Sequence, residues 1–205
     1  MTPIMFIGGT GRCGTTMLLK VLALHPELFV LPNETDPHPF HVEQWRTKHY
    51  APANSAALQL GAKWVVEKTP HNALYAQRFV THYFKDKSRY LHMVRSPRMT
   101  VKSLMTRGRY VYPGAGVIGD ADEARAYCDW MEAHGTATVR SLGKDAAILS
   151  FDELLYFPGH ELARLCAWLE IGPPTEQMLD FPFDKTKGDF SELERIKRKW
   201  EGIRV

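Results

Sequence analysis

Cysteine is scarce: only Cys13, Cys128 and Cys166 occur in 205 residues. An odd number at wide, unpatterned spacing makes neither a disulfide framework nor a zinc site. Cys166 falls within a helical apolar pattern as core filler. Long hydrophobic runs are missing too. Nothing approaches the ~20 apolar residues that span a bilayer, so stable membrane insertion is not expected. Residues 1–9 lack the charged head and long apolar stretch of a secretory signal. Together these absences set a reducing, cytoplasmic setting as the expectation. Charge of one sign is also lacking, since 26 Lys and Arg stand against 23 Asp and Glu, a net +3. A dedicated nucleic-acid binder concentrates more basic charge than this, so no nucleic-acid partner is expected. A small anionic ligand needs only a few well-placed cations.

What is present is ordinary for a soluble protein: 44% hydrophobic and 24% charged residues, with a mean hydropathy of −0.29. That composition excludes disorder, collagen and coiled coil as global descriptions. No repeat, low-complexity tract or linker interrupts the chain, so a single domain over residues 1–205 is expected.

Short apolar runs alternate with helical patterns, which predicts an α/β fold with a parallel sheet. Strands are expected at residues 4–7, 62–66, 89–94 and 146–151. Residues 15–24 read as a buried helix stopped by His25-Pro26. A second helix has Ala76, Phe79, Val80 and Tyr83 on one face. Ser96 caps a third, with Pro97 at its first position and Gly108 past its end. Residues 120–142 form a long amphipathic helix, and Leu162, Leu165, Cys166 and Leu169 mark the next. Three glycines and a proline make 110–119 a loop, and 191–200 a basic closing helix.

The most informative stretch is Gly8-Gly9-Thr10-Gly11-Arg12-Cys13-Gly14-Thr15-Thr16, between the first strand and the first helix. Glycines there let backbone N–H groups wrap a phosphate, and the helix N-terminus adds partial positive charge. Thr15 and Thr16 add hydroxyl donors, and Arg12 adds a full charge. Gly9, Gly14 and Thr15 nearly fit the nucleotide loop G-x-x-x-x-G-K-[ST], but Thr15 stands in the lysine's place. A triphosphate loses its main cation without that lysine.

The run G-T-G-R-C-G-T-T-M-L resembles the 5′-phosphosulfate loop of sulfotransferases, commonly G-x-x-R-S-G-T-T. These enzymes use 3′-phosphoadenosine 5′-phosphosulfate (PAPS) and release the desulfated nucleotide PAP. The resemblance implies that Gly11, Arg12, Cys13, Gly14, Thr15 and Thr16 bind the donor, with Cys13 in place of the usual serine. A second run, Val94-Arg95-Ser96-Pro97-Arg98 followed by Ser103, resembles the family's 3′-phosphate motif. Arg95 and Ser103 are then the 3′-phosphate ligands, with Arg98 a weaker candidate. Independently, Arg95 falls at a strand's carboxyl end, the ligand-binding edge of an open α/β sheet. The similarity runs from residue 3 to about residue 169. Later motifs fit as well: Ser150-Phe151-Asp152-Glu153-Leu154 and the stretch from Leu165 to Gly172 resemble structural segments of the family.

Sulfuryl transfer needs charge neutralisation on the leaving oxygen and profits from a base for the acceptor proton. Lys68, in Glu67-Lys68-Thr69-Pro70, resembles the family's K-T-P lysine and joins Arg12 as a catalytic cation. On its own it reads equally as an exposed strand-end lysine. Glu34 is the expected base, since the stretch from His25-Pro26 to Glu34-Thr35 resembles the H-P…E-T run of tyrosylprotein-type sulfotransferases. The register is displaced by about one residue, and Asp36 stands where those enzymes carry arginine. His38, His41 and His71 are backup bases, since imidazole is a side chain suited to proton exchange near neutral pH. No compact histidine or carboxylate cluster supports a metal site, and the implied mechanism needs none. In the tail, Asp184-Lys185-Thr186-Lys187-Gly188 resembles the K-[ST]-K-G loop of heparan-type sulfotransferases, which implies that Lys187 and Gly188 cover the donor. The basic cluster at 195–199 reads as a solvated helix face, and the 110–119 loop as a gate over the acceptor.

The resemblance implies a three-layer P-loop-like sandwich and in-line transfer from PAPS to a hydroxyl, less readily an amine, of a small-molecule, glycan or lipid acceptor. An ATP- and magnesium-dependent kinase with a degenerate loop, or a non-catalytic nucleotide-binding module, are the alternatives.

Overall fold

Five apolar runs become adjacent parallel strands in the computed structural model, which describes residues 1–106, 110–112 and 116–184. β1 (Ile4–Gly9) is buried along its whole length, as a strand covered on both faces must be. After the glycine-rich turn, α1 (Thr15–Leu22) ends at its cap residue Ala23. β2 (Leu28–Val30) is an unanticipated edge strand, too short to show alternation and fixed by parallel pairing with the strand that follows. α2 (Val42–Trp45) runs through a π-helical stretch, Arg46–Tyr50, into α3 (Ala51–Leu60). α3 buries only Ala53 and Ala57, so it lacks the apolar stripe that would announce it. β3 (Trp64–Lys68) lies two residues later than the expected 62–66, which moves Lys68 into the strand itself. α4 (Asn72–Arg78) continues as a π-helical stretch, Phe79–Tyr83.

β4 (Ser88–Val94) and α5 (Pro97–Met105) come next, with Ser96 at the cap position but making no side-chain capping bond. The expected loop at 110–119 is corrected by β5 (Tyr110–Tyr112) and β6 (Gly116–Ile118), which pair antiparallel. Strands of three residues flanked by glycines leave little periodicity to read. α6 (Ala121–Leu142) is capped by Asp120, whose carboxylate accepts the N–H groups of Asp122 and Glu123. β7 (Ala146–Ser150), α7 (Phe151–Tyr156), α8 (Pro158–Leu169) and α9 (Glu176–Leu179) complete the described chain. Lys187, Gly188 and the 191–200 helix lie outside the described residues.

The sheet order is β2-β3-β1-β4-β7. Successive side chains of a strand point to opposite faces, and β1 shows the result. Ile4 and Phe6 enter a core with Phe79, Tyr90 and Met131, whereas Met5 and Ile7 enter another with Leu18, Leu91 and Leu149. Helices cover both faces, so the molecule is the expected α/β sandwich. The chain leaves β1 toward β3 and β2, then returns to β1's other side as β4. That reversal makes a switch point at the carboxyl ends of β1 and β4, where open α/β sheets bind ligands. Among the described residues no helix is long and apolar enough to cross a membrane.

Candidate functional site

The turn after β1 has a backbone that few residues tolerate. Gly14, at φ 99°, caps α1, and a Cβ there would stand 1.9 Å from the Phe151 ring. Arg12 also adopts a left-handed conformation, φ 73°, which is uncommon for a residue with a side chain. Thr15 is buried and Thr16 exposed at the first turn of α1. Cys13 is buried, and burial pushes its thiol up to about 12. Its N–H donates to the Thr10 carbonyl at 3.1 Å. The thiol therefore stays protonated in the core, close to Gly9.

The two segments that resemble phosphate motifs, far apart in sequence, meet at this turn. Arg12 Nε donates to Ser103 Oγ at 3.1 Å, and Arg95 Nη1 donates to the Arg12 carbonyl at 2.9 Å. The Arg95 guanidinium lies 4.6 Å from the centre of the Phe151 ring, a cation–π distance. Burial lowers the Arg95 pKa, and the Asp152 carboxylate opposes that shift. Asp152 Oδ2 also accepts the Ser96 N–H at 2.8 Å, tying the start of α5 to α7. Arg98 is exposed.

Lys68 closes the other side. Its side chain is 4% exposed, so it is not a solvated strand-end lysine. Nζ is ion-paired with Glu34 and lies 3.2 Å from Thr16 Oγ1, bridging the turn and the expected base. Glu34 itself is 52% exposed.

The loop bearing Glu34 is held by Glu67, a fully buried carboxyl with no strong signal in the sequence. Glu67 Oε1 accepts from Thr35 Oγ1 at 3.0 Å and Thr69 Oγ1 at 2.7 Å, and Oε2 accepts from Asn72. Burial raises its pKa while these donors pull the other way. Thr69 Oγ1 in turn accepts the Asp36 N–H at 3.1 Å, and Trp45 Nε1 donates to Thr35 Oγ1 at 2.9 Å. Residues 34–36 are thus fastened to the end of β3. His71 is half-buried beside them; burial lowers its pKa against the charges of Asp36 and Glu34.

Next to Glu34 opens a cleft of about 480 Å³, lined among others by Asp36, His38, His41, Gln44, Lys48 and His49. Two of the three backup bases, His38 and His41, line this cleft, whereas His71 stays near Glu34. Sequence reading missed Gln44, Lys48 and His49, although Gln44 and Lys48 stand at four-residue spacing in the helical run and line the same cleft. Among the described residues no group of three or more His, Cys, Asp or Glu side chains could hold a metal ion.

No protein-family model and no curated protein matches the sequence. Solved structures do match the fold. The sulfotransferase domain of the Synechococcus PCC 7002 olefin synthase superposes with a TM-score of 0.63 at 20% identity, over 94% of this chain and 82% of that one. A sulfotransferase from Alicyclobacillus acidocaldarius gives 0.57 at 17%, covering 98% and 91%. A mouse sulfotransferase complexed with PAP gives 0.52 at 12%, covering 94% and 66%. The chain has the sulfotransferase fold.

Proposed function

We propose that this protein is a sulfotransferase that moves a sulfuryl group from PAPS to a hydroxyl acceptor. The observation that carries the reading is the junction of Arg12, Arg95 and Ser103 on one side of a lysine that reaches both Thr16 and Glu34. PAPS supplies the activated sulfuryl group. Arg12, Gly14, Thr15 and Thr16 hold its 5′-phosphosulfate, and Arg95 and Ser103 its 3′-phosphate. Cys13 serves through the backbone of the turn.

As the acceptor oxygen bonds to sulfur, the bond from sulfur to the 5′-phosphate oxygen breaks and its electron pair stays on PAP. Glu34 takes the acceptor's proton. Lys68 and Arg12 offset the charge that grows on the transferring group and the leaving oxygen. His71 is the next base in line. A kinase reading needs a lysine at position 15, where Thr15 stands.

Transfer from radiolabelled PAPS to a panel of hydroxyl compounds tests the reading. Glu34→Gln should lower turnover by roughly 10²–10⁴-fold, as loss of a general base does, and leave PAP affinity unchanged. Undiminished turnover would remove Glu34 from the chemistry. A preference for ADP with magnesium over PAP would overturn the donor.

A further inference from the structure

The cleft beside Glu34 has an uneven distribution of charge. On its helical wall, Gln44 and Lys48 lie four residues apart in the run 42–50, joined by His49 and by His41 at the N-cap of α2. Glu43, the acid of that run, is turned to Arg46 at 3.0 Å. Among the described residues no carboxylate forms an ion pair with Lys48. The acid of the lining is Asp36, whose backbone N–H donates to Thr69 just past β3 and whose charge, with that of Glu34, is felt by His71. The cleft therefore sets the carboxylate of Asp36, two residues along the chain from Glu34, against a wall of one lysine and several imidazoles. Its volume, about 480 Å³, suits a small organic molecule.

We infer that the acceptor is a small hydroxyl compound with its own anionic group, a carboxylate or a phosphate, which Lys48 holds with His41 and His49. Asp36 repels that group, so the compound enters hydroxyl first and meets Glu34. The inference rests on the transferase reading of the Glu34–Lys68 centre, but the ligand class of the cleft is measurable without turnover.

Two matched pairs serve as probes: para-hydroxyphenylacetate with its methyl ester, and glycerol phosphate with glycerol. Binding of each is measured by calorimetry to the full chain, with and without PAP. The charged member of at least one pair should bind about tenfold or more tightly than its neutral mate, in line with a charge-assisted contact. The pair that shows this distinguishes carboxylate from phosphate. Lys48→Gln should bring the two members within about twofold of each other, Lys48→Arg should restore the preference, and PAP affinity should not move in either variant. Equal binding within both pairs, binding of no probe, or a preference that survives Lys48→Gln overturns the inference. A Lys48-dependent preference in a protein that fails to bind PAP supports this ligand class and overturns only the transferase reading.

Discussion

The turns that leave β1 and β4 and the helical wall at 42–50 are built on opposite principles. On the β1–β4 side, position is set by backbone. Gly14 fits against Phe151 because it has no Cβ, Arg12 is held left-handed, and its carbonyl receives Arg95. On the helical side, position is set by side chains: Lys48 and His41 are exposed, and His38 and His49 are half-buried. The first kind of construction suits a ligand that never varies, such as a nucleotide donor. The second suits an acceptor, since the wall can change residue by residue without disturbing the sheet. Lys68 belongs to both, touching Thr16 and Glu34 at once.

That division can be broken most forcefully at the joint. Lys68→Ala should reduce turnover by roughly 10²–10³-fold, the scale for removing one electrostatic donor to a transition state. Affinities for PAP and for para-hydroxyphenylacetate should stay close to wild type. Turnover that survives would place the joint elsewhere. Next in size, Arg95→Ala should weaken PAP binding by roughly 10–100-fold, as expected for a lost charge-assisted contact. Binding on the helical wall should be untouched, and calorimetry with each ligand reports both. A variant that loses both ligands would show that the two ends are not separate.

A third test sharpens the claim that the β4 side is a closed, packed framework. His92 is fully buried on β4, with Nδ1 2.8 Å from the Tyr90 hydroxyl and Nε2 without a hydrogen-bond partner among the described residues. A Cβ on Gly135 would stand 2.0 Å from its ring, so no space exists to hydrate an imidazolium. Burial lowers its pKa from 6.5 to about 4. Between these values the unfolded chain takes up the proton and the folded one does not, so stability falls as pH is lowered. From near pH 7 to near pH 5 the loss should be about 2 kcal/mol by linkage. Glu67 acts in the opposite sense, because its raised pKa favours proton uptake by the folded state. The difference between wild type and His92→Gln in urea unfolding isolates the histidine. Parallel pH profiles for the two proteins would contradict the assignment.

The smallest expected effect is at Cys13. Because its thiol lies in the core, Cys13→Ser should change PAP affinity by less than about twofold. A larger gain would mean that a side chain at this position reaches the phosphate.

The same contrast explains what could be read from the sequence. That the β1 turn, Arg95 and Ser103 belong together was legible because each lies in a short segment resembling a sulfotransferase motif, and the fold brings these segments into contact. β1, β4 and α6 were legible because their apolar patterns are long. The helical wall was not: α3 buries two alanines, and although Val42, Trp45 and Tyr50 are buried in the core, the π-helical stretch at Arg46–Tyr50 breaks the regular helical spacing that would have announced them. β2, β5 and β6, at three residues each, are shorter than the alternation they would need to display. Glu67 escaped for another reason. Its role depends on Thr35, 32 residues away in sequence, which only the pairing of β3 beneath the loop brings near. For Lys68 the residue was found but its setting was not, since a two-residue shift of β3 turned an exposed end into a buried one.

The central claim is that one crevice grips both phosphates of an adenosine nucleotide, and calorimetry with PAP and with AMP, which lacks the 3′-phosphate, tests it most directly. Wild-type protein should bind PAP about 100-fold more tightly than AMP, and Arg95→Ala should erase most of that advantage. Equal affinities for the two nucleotides, or a PAP advantage that persists without Arg95, would contradict it.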